Sequence, residues 1–370
     1  MNFEMSEDRR MIADSLNRFL GDTYGIEHRT KVAYDAPFHD PEKWTQLADL
    51  GVLYALAGEG QGGYGGTGFD IMAVFEPLGR ALCPEPVLPA LMAARVLAAG
   101  DETANGAGTG TGTGAGIGPL LSGAVRYGVA IGEIEAPYGL EDIAAQAEAV
   151  DGGYRVSGRK SVVYGGHVAD LFLVAARLGD TLAVFEVAAR DCAVSGYGLI
   201  DGGGATEVFL DDAPARLVVA DGAAALQDAL DAGALALCAE ALGVMDRAFA
   251  LLLEYLKTRK QFGQTIGSFQ ALQHRTVDLA TEIEQARSIT ILAASRMGTP
   301  DQSRTVSMAK NLIGRTARLI AEESIQMQGG IAMTWEYPSS HLAKRLVMID
   351  HQLGDTDFHL ERVMAAHQAA

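Results

Sequence analysis

Apolar residues change their spacing along the chain, and each change predicts a change of architecture. Met11, Ile12, Leu16, Phe19 and Leu20 recur at the 3.6-residue spacing of a helix that buries one face. Asp40-Pro41 followed by Gly51 predicts a short helix with a capping aspartate, a proline in its first turn and a glycine past its end. A third helix carries Ile71, Met72, Val74, Phe75 and Leu78, and Pro77 inside it predicts a kink or a break. The period then shortens. Residues 154–156, 160–164, 171–175, 182–187 and 206–210 are short apolar runs parted by Gly and Asp, which predicts a compact antiparallel β-domain. From residue 224 to the end the pattern is helical again, with Ser268 and Asp301 as N-caps and Gly298-Thr299-Pro300 as a stop, enough for a helix bundle.

Two glycine-rich stretches interrupt these runs. The tract 104–118 is nearly all Gly, Ala and Thr, a composition that buries nothing and is expected to form a flexible, dispensable connector. It leads to a three-part α+β division: a helical domain over 1–121 that includes the tract, a β-domain over 122–220 and a helical bundle over 221–370. The other stretch, Gly58-Glu59-Gly60-Gln61-Gly62-Gly63-Tyr64-Gly65-Gly66, follows no strand and precedes no lysine, so it reads as a connecting loop and not a phosphate loop.

Composition narrows the function. With 370 residues, 48% hydrophobic and 21% charged, the chain has the makings of a large core. A formal net charge of -18 argues against nucleic acid as a partner. One basic island stands out, Lys257, Arg259, Lys260, His274 and Arg275, and either an anion patch or a solvated helix end accounts for it. Cys83, Cys192 and Cys238 are odd in number and far apart, which fits no disulfide framework and no metal site, so a reducing cytoplasm is the expected home. Asn2, Glu4, Glu7 and Asp8 lack the character of a signal peptide, and no apolar run predicts a membrane span.

Three motifs carry chemistry. They are Arg259-Lys260-Gln261-Phe262-Gly263, then Ile266-Gly267-Ser268-Phe269-Gln270, then Gln326-Met327-Gln328-Gly329-Gly330. A guanidinium at one helix end and paired glycines at another suit a pyrophosphate. Together with Gly153-Tyr154-Arg155-Val156-Ser157-Gly158-Arg159-Lys160 and Gly329-Gly330-Ile331-Ala332-Met333-Thr334-Trp335-Glu336-Tyr337, they make the chain resemble the acyl-CoA dehydrogenases over most of its length. Within that family the likeness is to the small subunit of pimeloyl-CoA dehydrogenase and to the α2β2 dehydrogenases of steroid side-chain degradation. The resemblance implies helical, β-barrel-like and four-helix-bundle domains in that order. It implies FAD as cofactor, held across a subunit interface by Arg259, Gln261, Phe262, Gln270, Gln326, Gly329 and Gly330. It also implies α,β-dehydrogenation of an acyl-CoA thioester, in which a carboxylate removes the α-proton, with electron-transfer flavoprotein as acceptor and a tetrameric assembly.

The likeness fails at the base. Where most members of the family carry a catalytic glutamate this chain has Leu353, followed by Gly354, and at the alternative position it has Gly233. Glu240, Asp355, Asp350 and Asp231 are the nearby carboxylates that offer themselves as substitutes, although a cap or a paired polar group explains each as well. The flavin pocket of the β-domain also departs, with Gly132-Glu133-Ile134-Glu135-Ala136-Pro137-Tyr138 in place of a threonine-bearing motif and Val162-Val163-Tyr164 in place of Trp-x-Thr. The expectation is a subunit that lacks its own base and completes the flavin site of a glutamate-bearing partner. A self-sufficient homotetramer with a displaced carboxylate and an acyl-CoA-binding scaffold are the alternatives.

Overall fold

The computed structural model describes residues 6–104 and 116–368, with the side chains of 101–104 left aside. Most of the tract 104–118 therefore lies outside the described residues. Its two ends belong to helices, since Ala104 closes one and Ile117 opens the next. The chain forms helices α1 (Glu7–Thr23), α2 (Ile26–Tyr34), α3 (Pro41–Asp49), α4 (Val52–Ala55), α5 (Gly68–Ala81), α6 (Val87–Ala104) and α7 (Ile117–Leu121). Strands β1 (Tyr127–Ala130), β2 (Gln146–Val150), β3 (Gly153–Tyr164), β4 (Leu171–Leu178), β5 (Thr181–Ala188), β6 (Ala193–Gly198) and β7 (Gly204–Val219) follow. Then come α8 (Ala223–Thr258), the hairpin strands β8 (Lys260–Gln261) and β9 (Gln264–Thr265), α9 (Gln270–Arg296), α10 (Gln302–Gln328), α11 (Pro338–Asp350) and α12 (Thr356–Gln368). Helices, strands, helices is the order that the spacing predicts.

Two compact units divide these elements, one made of Met1–Arg29, Gly68–Cys83 and Ala234–Ala370, the other of Thr30–Thr67 and Pro84–Gly233. The second holds the sheet. Its strands run β1-β4-β2-β3-β7-β5, β6 adds to β7, and β5 pairs back to β4, so five strands close into a ring. Phe172, Val174 and Ala176 alternate along β4 and meet Ala183, Phe185 and Val187 of β5 in the core. The sheet is not purely antiparallel, as the apolar runs suggested: β1 and β2 both pair with β4 in parallel. The chain makes the β2–β3 hairpin before it reaches β4, which leaves β4 free to run alongside β1.

The first unit is a helix bundle in which glycine sets the closest approach. Backbone of α5 meets backbone of α8 at two reciprocal points: a Cβ at Gly79 would collide with the Glu240 carbonyl, and one at Gly243 with the Glu76 carbonyl. Beside this crossing Arg287 of α9 holds Asp246 at 2.8 and 2.9 Å and Glu76 at 3.3 Å. Pro77 neither breaks α5 nor ends it, because its ring and its neighbours Ala73, Val74 and Leu78 are all buried against the bundle and hold the turn that lacks one hydrogen bond. Ser268 is not the cap of α9. That helix begins after Phe269, while the Ser268 hydroxyl donates to the Thr265 carbonyl at 2.7 Å. Asp301 does occupy the N-cap position of α10, but its side chain makes no capping bond.

Candidate functional site

Arg259 directly follows the last residue of α8, and the chain turns back at once. The Ile266 N–H donates to the Arg259 carbonyl at 2.9 Å, closing the β8–β9 hairpin around a two-residue turn, Phe262-Gly263. Both turn residues have positive φ, 52° and 82°, as a primed hairpin turn requires. Glycine does this freely and phenylalanine does not. Phe262 is nonetheless 90% exposed, with Phe269 as its ring neighbour among the described residues, edge-on at 6.2 Å. A strained aromatic held in the open points to a ligand or another chain. The Arg259 guanidinium, Gln261 and Gln270 are exposed around it, and the Arg259 side chain has no hydrogen-bond or ion-pair partner among the described residues.

The second motif closes α10. Gly329 takes φ 72° at the C-cap and its N–H donates to the Ile325 carbonyl, after which Gly330 begins a short 3₁₀ turn. Nothing lies within 4 Å of a Cβ built at either glycine, and both residues are exposed, so a ligand can approach the backbone closely here. Gln326 is exposed beside them. Helices α9 and α10 run antiparallel, tied near this end by Arg275 on Glu323 at 2.7 Å, which sets the start of α9, with Gln270, beside the end of α10, with Gln326. Gln328 stands within this motif, and the sequence reading gives it no role in the site. It is buried, and neither its amide nitrogen nor its oxygen has a partner among the described residues, which makes it an unusual group to find next to the glycine pair.

The two positions at which the resemblance expects a base are equally well defined. Leu353 has φ 55°, and the loop around it is pinned from several sides. The buried Lys310 ammonium donates to the Asp350 carbonyl at 3.0 Å and the Gly354 carbonyl at 2.8 Å. Asn311 donates to the Thr356 carbonyl at 2.9 Å. His359 completes the set, its Nε2 3.0 Å from the Leu353 carbonyl and its Nδ1 3.2 Å from the Ser307 hydroxyl. Burial and the nearby Lys310 push His359 down to about 3, so it is neutral, donating through Nε2 and accepting at Nδ1. Burial likewise brings Lys310 down to about 8. The loop backbone is fixed and the side chain that it carries at Leu353 is aliphatic. Gly233, at the other position, is buried within α8.

Each substitute carboxylate already has work in the fold. Glu240 grips Arg345 at 2.6 and 2.8 Å, Asp231 accepts from Gln227 at 2.8 Å, Asp350 accepts from the Thr356 hydroxyl at 2.8 Å, and Asp355 caps Phe358 N–H at 2.8 Å. Among the described residues no group of three His, Cys, Asp or Glu is placed to hold a metal, and no helix is long and apolar enough to cross a membrane.

In the β-unit the segment 132–138 is anchored by a buried ion pair. Burial alone would raise the Glu133 carboxyl, but Lys160 Nζ at 2.7 Å and the N–H groups of Ala144 and Ala145 at 2.9 and 3.0 Å hold it below the usual carboxylate range. Lys160, fully buried, is lowered to about 8 by the same burial. A lysine at an inward position of the β3 alternation is the sequence signal that finds this pair. Val162 is exposed at φ 51°, and its N–H and the Ser161 hydroxyl both donate to Glu207, at 3.1 and 3.0 Å. Tyr197 and Arg159 bind the same carboxylate. Donors on this edge of β3 are thus consumed internally.

A model of the acyl-CoA dehydrogenase C-terminal domain matches residues 220–367. Acyl-CoA dehydrogenase IpdE2 of Mycolicibacterium smegmatis is 27% identical over 98% of this chain and 99% of its own length. Acyl-CoA dehydrogenase FadE27 of Mycobacterium tuberculosis is 28% identical over 98% of both. Among solved structures, the ChsE4-ChsE5 complex from Mycobacterium tuberculosis superposes with a TM-score of 0.88 at 26% identity over the whole of both chains. The Tcur3481-Tcur3483 steroid acyl-CoA dehydrogenase variant gives 0.86 at 26% identity over 98% of this chain and 99% of its own.

Proposed function

We propose, for a chain similar to the acyl-CoA dehydrogenases over its whole length, that it is the subunit of a heteromeric, FAD-dependent enzyme which completes a partner's flavin site and leaves proton abstraction to that partner's glutamate. The observation that carries this reading is the Leu353 loop. Its backbone is over-determined by Lys310, Asn311 and His359, yet it offers no carboxylate, and the four nearby acids are each engaged elsewhere. FAD, when bound, supplies a hydride acceptor for the β-carbon of an acyl-CoA thioester.

This chain's own residues supply position and charge. The Arg259 fork suits two oxygens of a pyrophosphate, the unobstructed backbone at Gly329-Gly330 lets it approach closely, and exposed Phe262 offers an apolar face, with Gln261, Gln270 and Gln326 as donors around them. The fit is confined to that half. On the edge of β3, Glu207 already occupies the donors that a flavin ring would need. A partner bearing an intact pocket supplies what is missing, and the two-component names of the ChsE4-ChsE5 and Tcur3481-Tcur3483 structures support this arrangement. A heterotetramer in the cytoplasm, acting on a bulky acyl-CoA and passing electrons to an electron-transfer flavoprotein, is the consistent assembly.

The experiment is purification with and without the co-expressed product of the adjacent open reading frame. The chain alone should carry little flavin and show negligible dehydrogenation with FAD in excess, and the complex should be yellow and active. In that complex Asp231→Asn, Glu240→Gln, Asp350→Asn and Asp355→Asn should each leave most turnover. Turnover by the isolated chain, abolished by one of those four changes, would establish a displaced base and a self-sufficient enzyme instead.

A further inference from the structure

Glu207 of β7 stands against a bulge in β3. Lys160 pairs with Val208 and Val163 with Thr206, so Ser161 and Val162 together face the single residue Glu207. The bulge turns Val162 to φ 51°, a left-handed conformation that a β-branched residue rarely takes, and leaves its side chain exposed. The Ser161 N–H points away, to the Gly132 carbonyl at 2.9 Å. The Val162 N–H points to the glutamate.

Four groups converge on that one carboxylate. Oε1 accepts from the Ser161 hydroxyl at 3.0 Å, the Val162 N–H at 3.1 Å and the Tyr197 hydroxyl at 3.0 Å, and Oε2 accepts from the Arg159 fork at 3.2 and 3.0 Å. Burial alone would raise the Glu207 carboxyl, but these bonds hold it below the usual carboxylate range, so it is ionised. Burial and the same carboxylate push Tyr197 up to about 12, so its hydroxyl keeps its proton and stays a donor. The strand pairing does not call for an acid here, since β7 is joined to β3 and β6 around this position through the backbone.

A strained backbone donor, two hydroxyls and a guanidinium aimed at one point make a recognition site for neighbouring oxygen and nitrogen acceptors. The isoalloxazine ring of FAD carries such acceptors along its pyrimidine edge, in two carbonyl oxygens and the ring nitrogens between and beside them. In this chain a side chain fills their place. We propose that Glu207 is the residue that keeps this chain's own β-unit free of flavin, by occupying the donors from which a flavin ring would accept. The proposal rests on the subunit reading above, in which the ring belongs to the partner's pocket, and adds to it the single side chain that decides which subunit holds the ring.

The test is fluorescence titration of the full chain, purified alone, with riboflavin, which has the ring but no pyrophosphate for Arg259. The parent should bind too weakly to saturate. Glu207→Ala and Glu207→Thr should bind at least about tenfold more tightly, the worth of two recovered hydrogen bonds, and equally so when Arg259→Ala is added. Glu207→Gln should stay like the parent, because its amide still fills the space and its oxygen still accepts from Ser161 and Val162. Sodium acetate, unlike sodium chloride at matched ionic strength, should compete with riboflavin in Glu207→Ala by refilling the same donors. Circular dichroism and thermal melting confirm that each variant is folded. A folded Glu207→Ala or Glu207→Thr chain that binds no better than the parent, a Glu207→Gln chain that binds as well as Glu207→Ala, or binding with which acetate does not compete would each overturn the proposal and leave the subunit reading standing. Tight riboflavin binding by the parent would overturn both.

Discussion

At the scale of the residue, the positive φ of Phe262 is the clearest sign that stability has been given up for exposure of an aromatic ring. Asn-Gly is the preferred pair for such a turn. Phe262→Asn should therefore raise stability by about 0.5–1 kcal/mol while lowering flavin retention in the assembled complex, read by urea denaturation and by flavin absorbance. Arg259→Ala should lower flavin retention as well and leave the melting curve of the chain unchanged. Lys160 makes the opposite case, a residue whose worth is structural. Lys160→Met strands the buried Glu133 carboxylate and should cost about 3–5 kcal/mol, which denaturant unfolding measures directly.

At the scale of the element, the α5–α8 crossing depends on two glycines, and neither is asked for by its turn geometry. Gly243→Ala forces a methyl group onto the Glu76 carbonyl, and Gly79→Ala onto that of Glu240. Each should cost about 1–3 kcal/mol through overpacking, visible as a lowered Tm, and the double variant should fall short of the sum because one separation of the helices relieves both clashes. The sheet shows what spacing alone cannot deliver. Alternation found β3, β4, β5 and part of β7 but passed over β1, β2 and β6, whose exposed or brief apolar patterns carry no such signal.

At the scale of the whole molecule, buried neutral histidines set the acid limit. Burial lowers His359 to about 3, and burial, His39 and Arg126 lower His167 to about 4, from an ordinary value of 6.5. Both groups bind fewer protons folded than unfolded, so their contribution is complete above pH 6.5 and is lost as pH falls through those folded values. Stability should decline by up to about 1.4 kcal/mol per pH unit for each histidine below pH 6. Urea midpoints between pH 7 and 4 check this, and His359→Gln should flatten the slope whatever it does to stability at pH 7.

Local chemistry by itself determined the order of helices and strands, the Asp40-Pro41 start of α3, the Gly298 stop and the family that the chain resembles, because periodicity, caps and short motifs are written in neighbouring residues. Tertiary structure alone decided the rest. That Pro77 stays within a helix, that β4 lies parallel to β1, that Lys160 meets Glu133 and that Lys310 and His359 hold the Leu353 loop all depend on groups from 6 to 44 positions apart or more, brought together by burial. A sequence states which side chain stands at a position. Only packing states which way its backbone turns and which partner removes its charge from water, and those two facts separate Leu353, left-handed on a pinned loop, from Arg259, whose side chain keeps no hydrogen-bond or ion-pair partner among the described residues.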